Sequence, residues 1–240
     1  MKISHNWMVV AAGATLMFCS TAARAADGPY VAVHGGLAQA QAFNADVGAS
    51  SAVVNGLQEH YRIGYQGDLA AGYELGPLRA EVEASQKGTR LTSVYAASTA
   101  TIPNSATTLT SKGSGTFSAP VGKLRVRSAM LNLYVSTTNR DVFASGNVHF
   151  YGGAGVGYAW ARAFHHRAIG GADSYLNGGA KSFAWQLMVG ARYDLTPHLS
   201  LDAGYKYFSA TRLRFTDYAG RRVAGSNSWN GFLVGASYAF

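Results

Sequence analysis

The chain has 240 residues, with 20 lysines and arginines against 12 acidic residues, a formal charge of +8, and only 13% charged positions. Its 29 glycines and 14 tyrosines fit glycine-rich strands carrying aromatics better than a helical protein. The single cysteine, Cys19, excludes an internal disulfide framework.

At the N-terminus, Lys2 gives a positive start, Trp7 to Phe18 is an uncharged apolar run, and Ala23-Arg24-Ala25 puts small residues where signal peptidase needs them. This predicts a signal peptide over residues 1–25 and one domain over 26–240. A retained anchor is the weaker reading, because the run is short for a bilayer. A lipoprotein would use Cys19, yet Phe18 stands where a small residue is needed. Loss of the signal removes Cys19, Lys2 and Arg24, leaving 18 basic against 12 acidic residues, a charge of +6. That balance suits an anionic surface, and export argues against nucleic acid as a partner. No later apolar run reaches the length of a transmembrane helix, so membrane entry would need a closed β-barrel.

In chain order, alternation predicts strands at Tyr30 to Gln39, Tyr61 to Leu75, Leu78 to Leu91, Lys123 to Ser136, Val148 to Arg162, Lys181 to Leu195, Leu199 to Ala210 and Ser228 to Phe240. Gly76-Pro77 and Thr196-Pro197-His198 read as tight turns, and Thr137 to Asn147 as a moderate one. Between them, Ala40 to His60, Thr92 to Gly122, Ala163 to Ala180 and Thr211 to Asn227 are far longer than compact hairpins need. Strict alternation of short and long connections predicts an eight-stranded antiparallel up-and-down barrel, with short periplasmic turns, extracellular loops and both termini in the periplasm. A soluble lipocalin-like barrel is the competing architecture.

Facing separates the two. Arg79, Glu81, Glu83, Ser85 and Lys87 share one parity against Leu78, Ala80, Val82 and Ala84. Phe183, Trp185, Leu187, Val189, Ala191, Tyr193 and Leu195 oppose Ser182, Gln186, Arg192 and Asp194 in the same way. In the seventh strand, Leu199, Leu201, Ala203, Tyr205 and Tyr207 oppose Asp202 and Lys206. The last strand sets Phe232, Val234, Ala236, Tyr238 and Phe240 against smaller residues and stops on an aromatic. The length and aromatic ends of these apolar rows favour apolar-out, the membrane arrangement.

The segments GYELGPLRAEVEAS (Gly72 to Ser85), MLNLYV (Met130 to Val135), FYGGAGVGYAW (Phe150 to Trp160) and FAWQLMVGARYDLTPHLSLDAGYKYF (Phe183 to Phe208) resemble the eight-stranded opacity-type outer-membrane proteins of the porin family. The resemblance covers most of the mature chain and fails in the long loops. It implies a transmembrane barrel in the bacterial outer membrane. It also implies that the barrel-assembly machinery reads the final strand through Tyr238 and Phe240. Family members serve as surface antigens, adhesins, envelope-stabilising proteins or small channels, so activity stays open at this point.

Two constellations carry chemistry. Glu74, Arg79, Glu81, Glu83, Arg192, Asp194, Asp202 and Lys206 are expected to face a narrow lumen, where buried charges persist only when paired. They form either a salt-bridge plug or, as the alternative, an ion path in a narrow porin-like channel. Arg212, Arg214, Arg221 and Arg222 in the last long connection, and Arg162, His165, His166 and Arg167 at the opening of the preceding one, with Arg125 and Arg127, are expected to contact lipopolysaccharide phosphates, the arginines through guanidinium forks. An unbroken fourth strand would turn Lys123, Arg125 and Arg127 outward; a bulge near Ser128 would turn them into the lumen.

Weaker signals complete the reading. His165-His166 resembles half a metal site but has no carboxylate or cysteine at ligand spacing, so it is expected to be solvated and no metal or cofactor is expected. His198-Leu199-Ser200 resembles the His-x-Ser of lipid-A deacylases, on the wrong side of the membrane and followed by Leu201 where those enzymes have Asn. No nucleophile, base and orienting group converge, so an enzyme is not expected. The Ser/Thr/Ala-rich segment from Ser93 to Ser118 reads as a surface loop free to meet an extracellular ligand. The expectation is a monomeric, non-enzymatic surface protein.

Overall fold

The computed structural model describes residues 27–47, 53–97, 115–117, 120–137, 148–167, 176–217 and 220–240. The expected signal peptide, residues 98–114 and 118 of the expected surface loop, and residues 138–147 of the expected moderate turn lie outside them. The strands are β1 (Gly28–Ala40), β2 (Phe43–Val47), β3 (Val53–Tyr61), β4 (Ile63–Leu75), β5 (Leu78–Ala96), β6 (Gly115–Phe117), β7 (Val121–Ser136), β8 (Val148–Arg167), β9 (Leu176–Asp194), β10 (Leu199–Thr216) and β11 (Arg222–Ala239). All pair antiparallel, and a ring of eight, β1-β4-β5-β7-β8-β9-β10-β11, closes where Tyr30 to Ala40 pair with Ala239 to Trp229. Further from the termini, β2 and β3 continue the courses of β1 and β4, bridging β11 to β5 and keeping the wall closed.

The start of β1 and the end of β11 lie at one end, together with the Gly76-Pro77 turn and the Thr196 to His198 turn. Gly76 takes a left-handed φ of 56°, and the Ala239 amide donates to the His198 carbonyl at 2.8 Å. At the opposite end the strands run well past their expected limits. The connections expected over Ala40 to His60, Thr92 to Gly122, Ala163 to Ala180 and Thr211 to Asn227 are largely paired sheet among the described residues. The reason is local. The expected ends Leu91, Arg162 and Ala210 each lie within two residues of a bulge, at Thr92, at Phe164-His165 and at Thr211-Arg212. Alternation fails at a bulge while hydrogen-bonded pairing continues beyond it.

The result is a tall barrel. At 20 residues, β8 spans ~68 Å at ~3.4 Å per residue, and a tilt of about 40° leaves ~50 Å of height against an apolar band of ~25 Å. The belt occupies the half nearer the termini. On β7, Leu131, Leu133 and Val135 are 62%, 69% and 60% exposed, while Met130, Asn132 and Tyr134 between them are buried. Phe232, Val234, Leu187 and Val189 continue the exposed row, and Tyr158, Trp160 and Tyr65 mark its upper edge. Apolar residues outside and charged residues inside are the arrangement of a barrel in lipid, which rules out the lipocalin-like alternative.

The lumen is filled. Glu81, Glu83, Asp68, Asn132 and Gln186 form a polar layer level with the belt, and Leu124, Val126, Phe208 and Trp229 pack above it. Gly155 makes room for this layer, since a Cβ there would lie 1.9 Å from Oδ1 of Asn132.

Candidate functional site

The polar layer centres on Lys206. Its Nζ donates to Oδ2 of Asp68 at 2.5 Å and to Oε2 of Glu83 at 2.9 Å, and all three side chains are almost wholly buried. Gln186 Nε2 donates to Glu83 and to Oδ1 of Asn132, and Asn132 Nδ2 donates to both Glu81 and Glu83 at 2.9 Å. Tyr30 and Tyr134 cap the Glu81 carboxylate at 2.6 and 2.7 Å. Arg79 stacks over the rings of Tyr134, Tyr151 and Tyr30, at 4.4, 5.1 and 5.6 Å.

The eight expected lumenal charges therefore divide into groups. Glu83 and Lys206 join the central cluster, Glu81 is held by tyrosines, and Asp202 accepts from Ser237 at 3.1 Å. Nearer the termini, Arg192 bridges Glu74 at 2.7 Å and Asp194 at 3.4 Å. Sequence reasoning left out Asp68, Asn132, Tyr30, Tyr134 and Tyr151. Asn132 carried a signal, as the lone amide in the apolar run Met130 to Val135. A cavity of about 30 Å³ borders Tyr30, Arg79, Glu83, Tyr151 and Asp202, room for about one or two ordered waters.

A second polar cluster sits above the belt, inside the extended half. His166 Nδ1 lies 2.9 Å from Oε1 of Glu59, its Nε2 lies 3.2 Å from the Lys123 carbonyl, and the Tyr61 hydroxyl donates to Glu59. Burial by itself lowers the His166 pKa, but the Glu59 carboxylate and these hydrogen bonds outweigh it, and the net shift is upward. The expectation that both histidines are solvated fails for His166. Phe164 and His165 together oppose Asn177, so the bulge turns His165 outward, with φ 48°, and His166 into the core. Among the described residues no group of three His, Cys, Asp or Glu is placed to hold a metal.

On the outer wall, the register of β5 against β7 runs unbroken from Leu78↔Val135 to Arg90↔Lys123. Ser128 points inward and meets Ser85 at 2.7 Å. No bulge occurs there, so Lys123, Arg125 and Arg127 face outward and are exposed. Their cross-strand neighbours add to them. Arg90 pairs with Lys123, Arg125 with Arg162, and Arg127 with Trp160, which pairs in turn with Lys181. The guanidinium carbons of Arg125 and Arg162 flank the Phe164 ring at 5.3 and 5.2 Å. Among the described residues, none of these six cations has a carboxylate within ion-pair distance. Arg127 and Lys181 flank Trp160, and the other four cations lie above it.

The other expected arginines lie elsewhere. Arg212, Arg214 and Arg222 are exposed on β10 and β11, on strands rather than in a loop. Arg221 is bound to Asp217, Nε to Oδ2 at 2.8 Å and backbone N–H to Oδ1 at 2.7 Å. Tyr238 and Phe240 are exposed on the lipid-facing row beside the closing seam, packed edge to face at 5.3 Å. His198 stacks on Tyr238 and contacts the Ala239 carbonyl, whereas Ser200 donates to Asp194 at 2.6 Å. No hydrogen bond joins His198 and Ser200, so this pair lacks the geometry of a nucleophile and its base.

The model of the outer membrane protein β-barrel domain matches residues 10–240. The chain belongs to this outer-membrane β-barrel family. Outer membrane protein PagN of Salmonella typhimurium is 29% identical over 127 residues, a match spanning 49% of this chain and 51% of that protein. Neisserial surface protein A shares the fold at a TM-score of 0.55 and 18% identity, over 90% of this chain and 99% of its own. OprG from Pseudomonas aeruginosa aligns at a TM-score of 0.48 and 14% identity, over 90% and 97%. Membership places this outer-membrane barrel in the bacterial outer membrane.

Proposed function

We propose that the protein is a non-enzymatic, monomeric surface protein that anchors four extracellular connections and binds lipopolysaccharide through its outer wall. The carrying observation is the cationic patch of Arg90, Lys123, Arg125, Arg127, Arg162 and Lys181, which has no carboxylate within ion-pair distance among the described residues and stands at and above the level of Trp160. Aromatic girdles mark the edge of the hydrocarbon, so the patch stands at the height of lipid headgroups. Guanidinium forks facing that layer suit the phosphates of lipid A. Both termini then lie in the periplasm, on the side of the tight turns, where the barrel-assembly machinery would meet Tyr238 and Phe240.

The filled lumen supports an anchor over the narrow porin-like channel, because a neutralised polar layer and an apolar layer lie in series across it. The separated His198 and Ser200 support a non-enzymatic reading over a lipid-A-modifying one. The test replaces Arg125, Arg127 and Arg162 with glutamine and compares unfolding in vesicles with and without lipopolysaccharide. The wild type is expected to gain stability from lipopolysaccharide, and the triple variant to lose most of that gain. An equal gain in both proteins would reject the contact.

A further inference from the structure

We infer that a groove on the opposite side of the outer wall, between β10 and β2, is a separate binding site for an acidic saccharide. It encloses about 540 Å³, within the ~300–1,000 Å³ of ordinary ligand sites. Its shape follows from side-chain size. The outward row of β11 is Ala224, Ser226 and Ser228, a floor of small residues. Arg212 and Arg214 of β10 rise on one flank, Asn44 on the other, and Arg222 stands at one end. Gly225 lets the flank approach, since a Cβ there would lie 2.4 Å from the Asn44 carbonyl oxygen.

The arginines are there because of a bulge. Ala210 pairs with Asn227 and Leu213 with Gly225, so Thr211 and Arg212 together oppose Ser226. Unbroken alternation would send Arg212 and Arg214 into the lumen and Leu213 and Phe215 out to solvent. The bulge exchanges them: Leu213 and Phe215 are 1% and 3% exposed, and both arginines are exposed. The exchange requires a φ of 47° at Arg212, a left-handed conformation that side chains other than glycine rarely adopt.

Donor chemistry points to a sugar bearing an anionic group. Among the described residues, Arg212, Arg214 and Arg222 have no carboxylate within ion-pair distance, so three guanidinium groups are open to phosphate, sulfate or carboxylate. Around them stand the amides of Gln41 and Asn44 and the hydroxyl of Ser226, a set suited to hydroxyl groups. Strands carry all of these groups except Gln41, which stands in the two-residue link between β1 and β2. The site lies above the belt, so its ligand comes either from the oligosaccharide core of lipopolysaccharide or from a sulfated glycan outside the cell. It shares no residue with the lipid-A patch and stands or falls independently of it.

The test is calorimetric titration of the folded full-length protein in lipopolysaccharide-free micelles. The probes are delipidated lipopolysaccharide core, a chondroitin sulfate oligosaccharide and a neutral dextran oligosaccharide. One or both anionic probes are expected to bind, more weakly as salt rises, with dextran at least tenfold weaker. The responding probe identifies the source. Replacing Arg212, Arg214 and Arg222 with glutamine is expected to weaken binding at least tenfold. Ala224→Phe, which fills the floor and leaves every charge, is expected to do the same, and Arg62→Gln to have less than a twofold effect. Heat-modifiable migration on gels checks that each variant folds. Failure of both anionic probes to bind, or full binding by Ala224→Phe, would overturn the site.

Discussion

Replacing Lys206 with methionine removes the cation that, alone among the described residues, is bonded to two buried carboxylates. In the folded protein Nζ stands 2.5 Å from Asp68 and 2.9 Å from Glu83. Without it Asp68 keeps the Gln66 amide at 3.1 Å, and Glu83 keeps only the Asn132 and Gln186 amides. Breaking a buried ion pair by deleting one partner costs ~3–5 kcal/mol, here compounded by two carboxylates left close together. Replacing the three together with Lys206→Met, Asp68→Asn and Glu83→Gln removes both ion pairs at similar volume while leaving Glu81, Arg79 and Lys87 in place, and is expected to recover most of the loss suffered by the single variant. The assay is urea unfolding in lipid vesicles, followed by tryptophan fluorescence and gel migration. A single variant losing less than ~1 kcal/mol, or a triple variant as unstable as the single one, would refute the account of the lumen as a charge-compensated plug.

Four further outcomes follow from the same geometry. His166 is held above its ordinary value of 6.5, so its pairing with Glu59 contributes fully below that pH and is lost as pH rises through the raised value. Wild-type unfolding midpoints should therefore fall between pH 6 and pH 9 by more than those of Glu59→Gln, and parallel pH profiles would reject the pairing. Phe240→Ala should lower the yield of assembled barrel in cells while leaving the purified, refolded protein within ~1 kcal/mol of wild type; a large loss in refolded stability would make Phe240 a packing residue instead. A membrane-impermeant maleimide applied to intact cells should label Ser226→Cys and spare Thr196→Cys, and the reverse would invert the topology. Planar bilayers carrying the purified barrel should stay silent across salt concentrations, with steady single-channel steps showing that the plug opens.

Alternation made most of the barrel legible in advance. Leu78 to Lys87 and Phe183 to Leu195 announced both faces, because a strand buried on one side repeats every two residues. The inward charges Glu81, Glu83, Asp202 and Lys206 were readable by parity for the same reason. What parity could not show was pairing: Asp68 reaches Lys206 across 138 positions, and only ring closure brings those strands together.

On β5, β8 and β10 the outer half was misread for one physical cause. A bulge adds one residue to one strand, so every later side chain changes face while the sequence gives no mark of the change. At Phe164-His165 it buried His166, and at Thr211-Arg212 it drove two arginines out and two apolar residues in. Composition and period-two patterning, being local, determined by themselves that the chain is an apolar-out β-barrel. Tertiary structure decided how tall that barrel stands, which charges meet in its lumen and which arginines share a groove, because these depend on register between strands far apart in sequence.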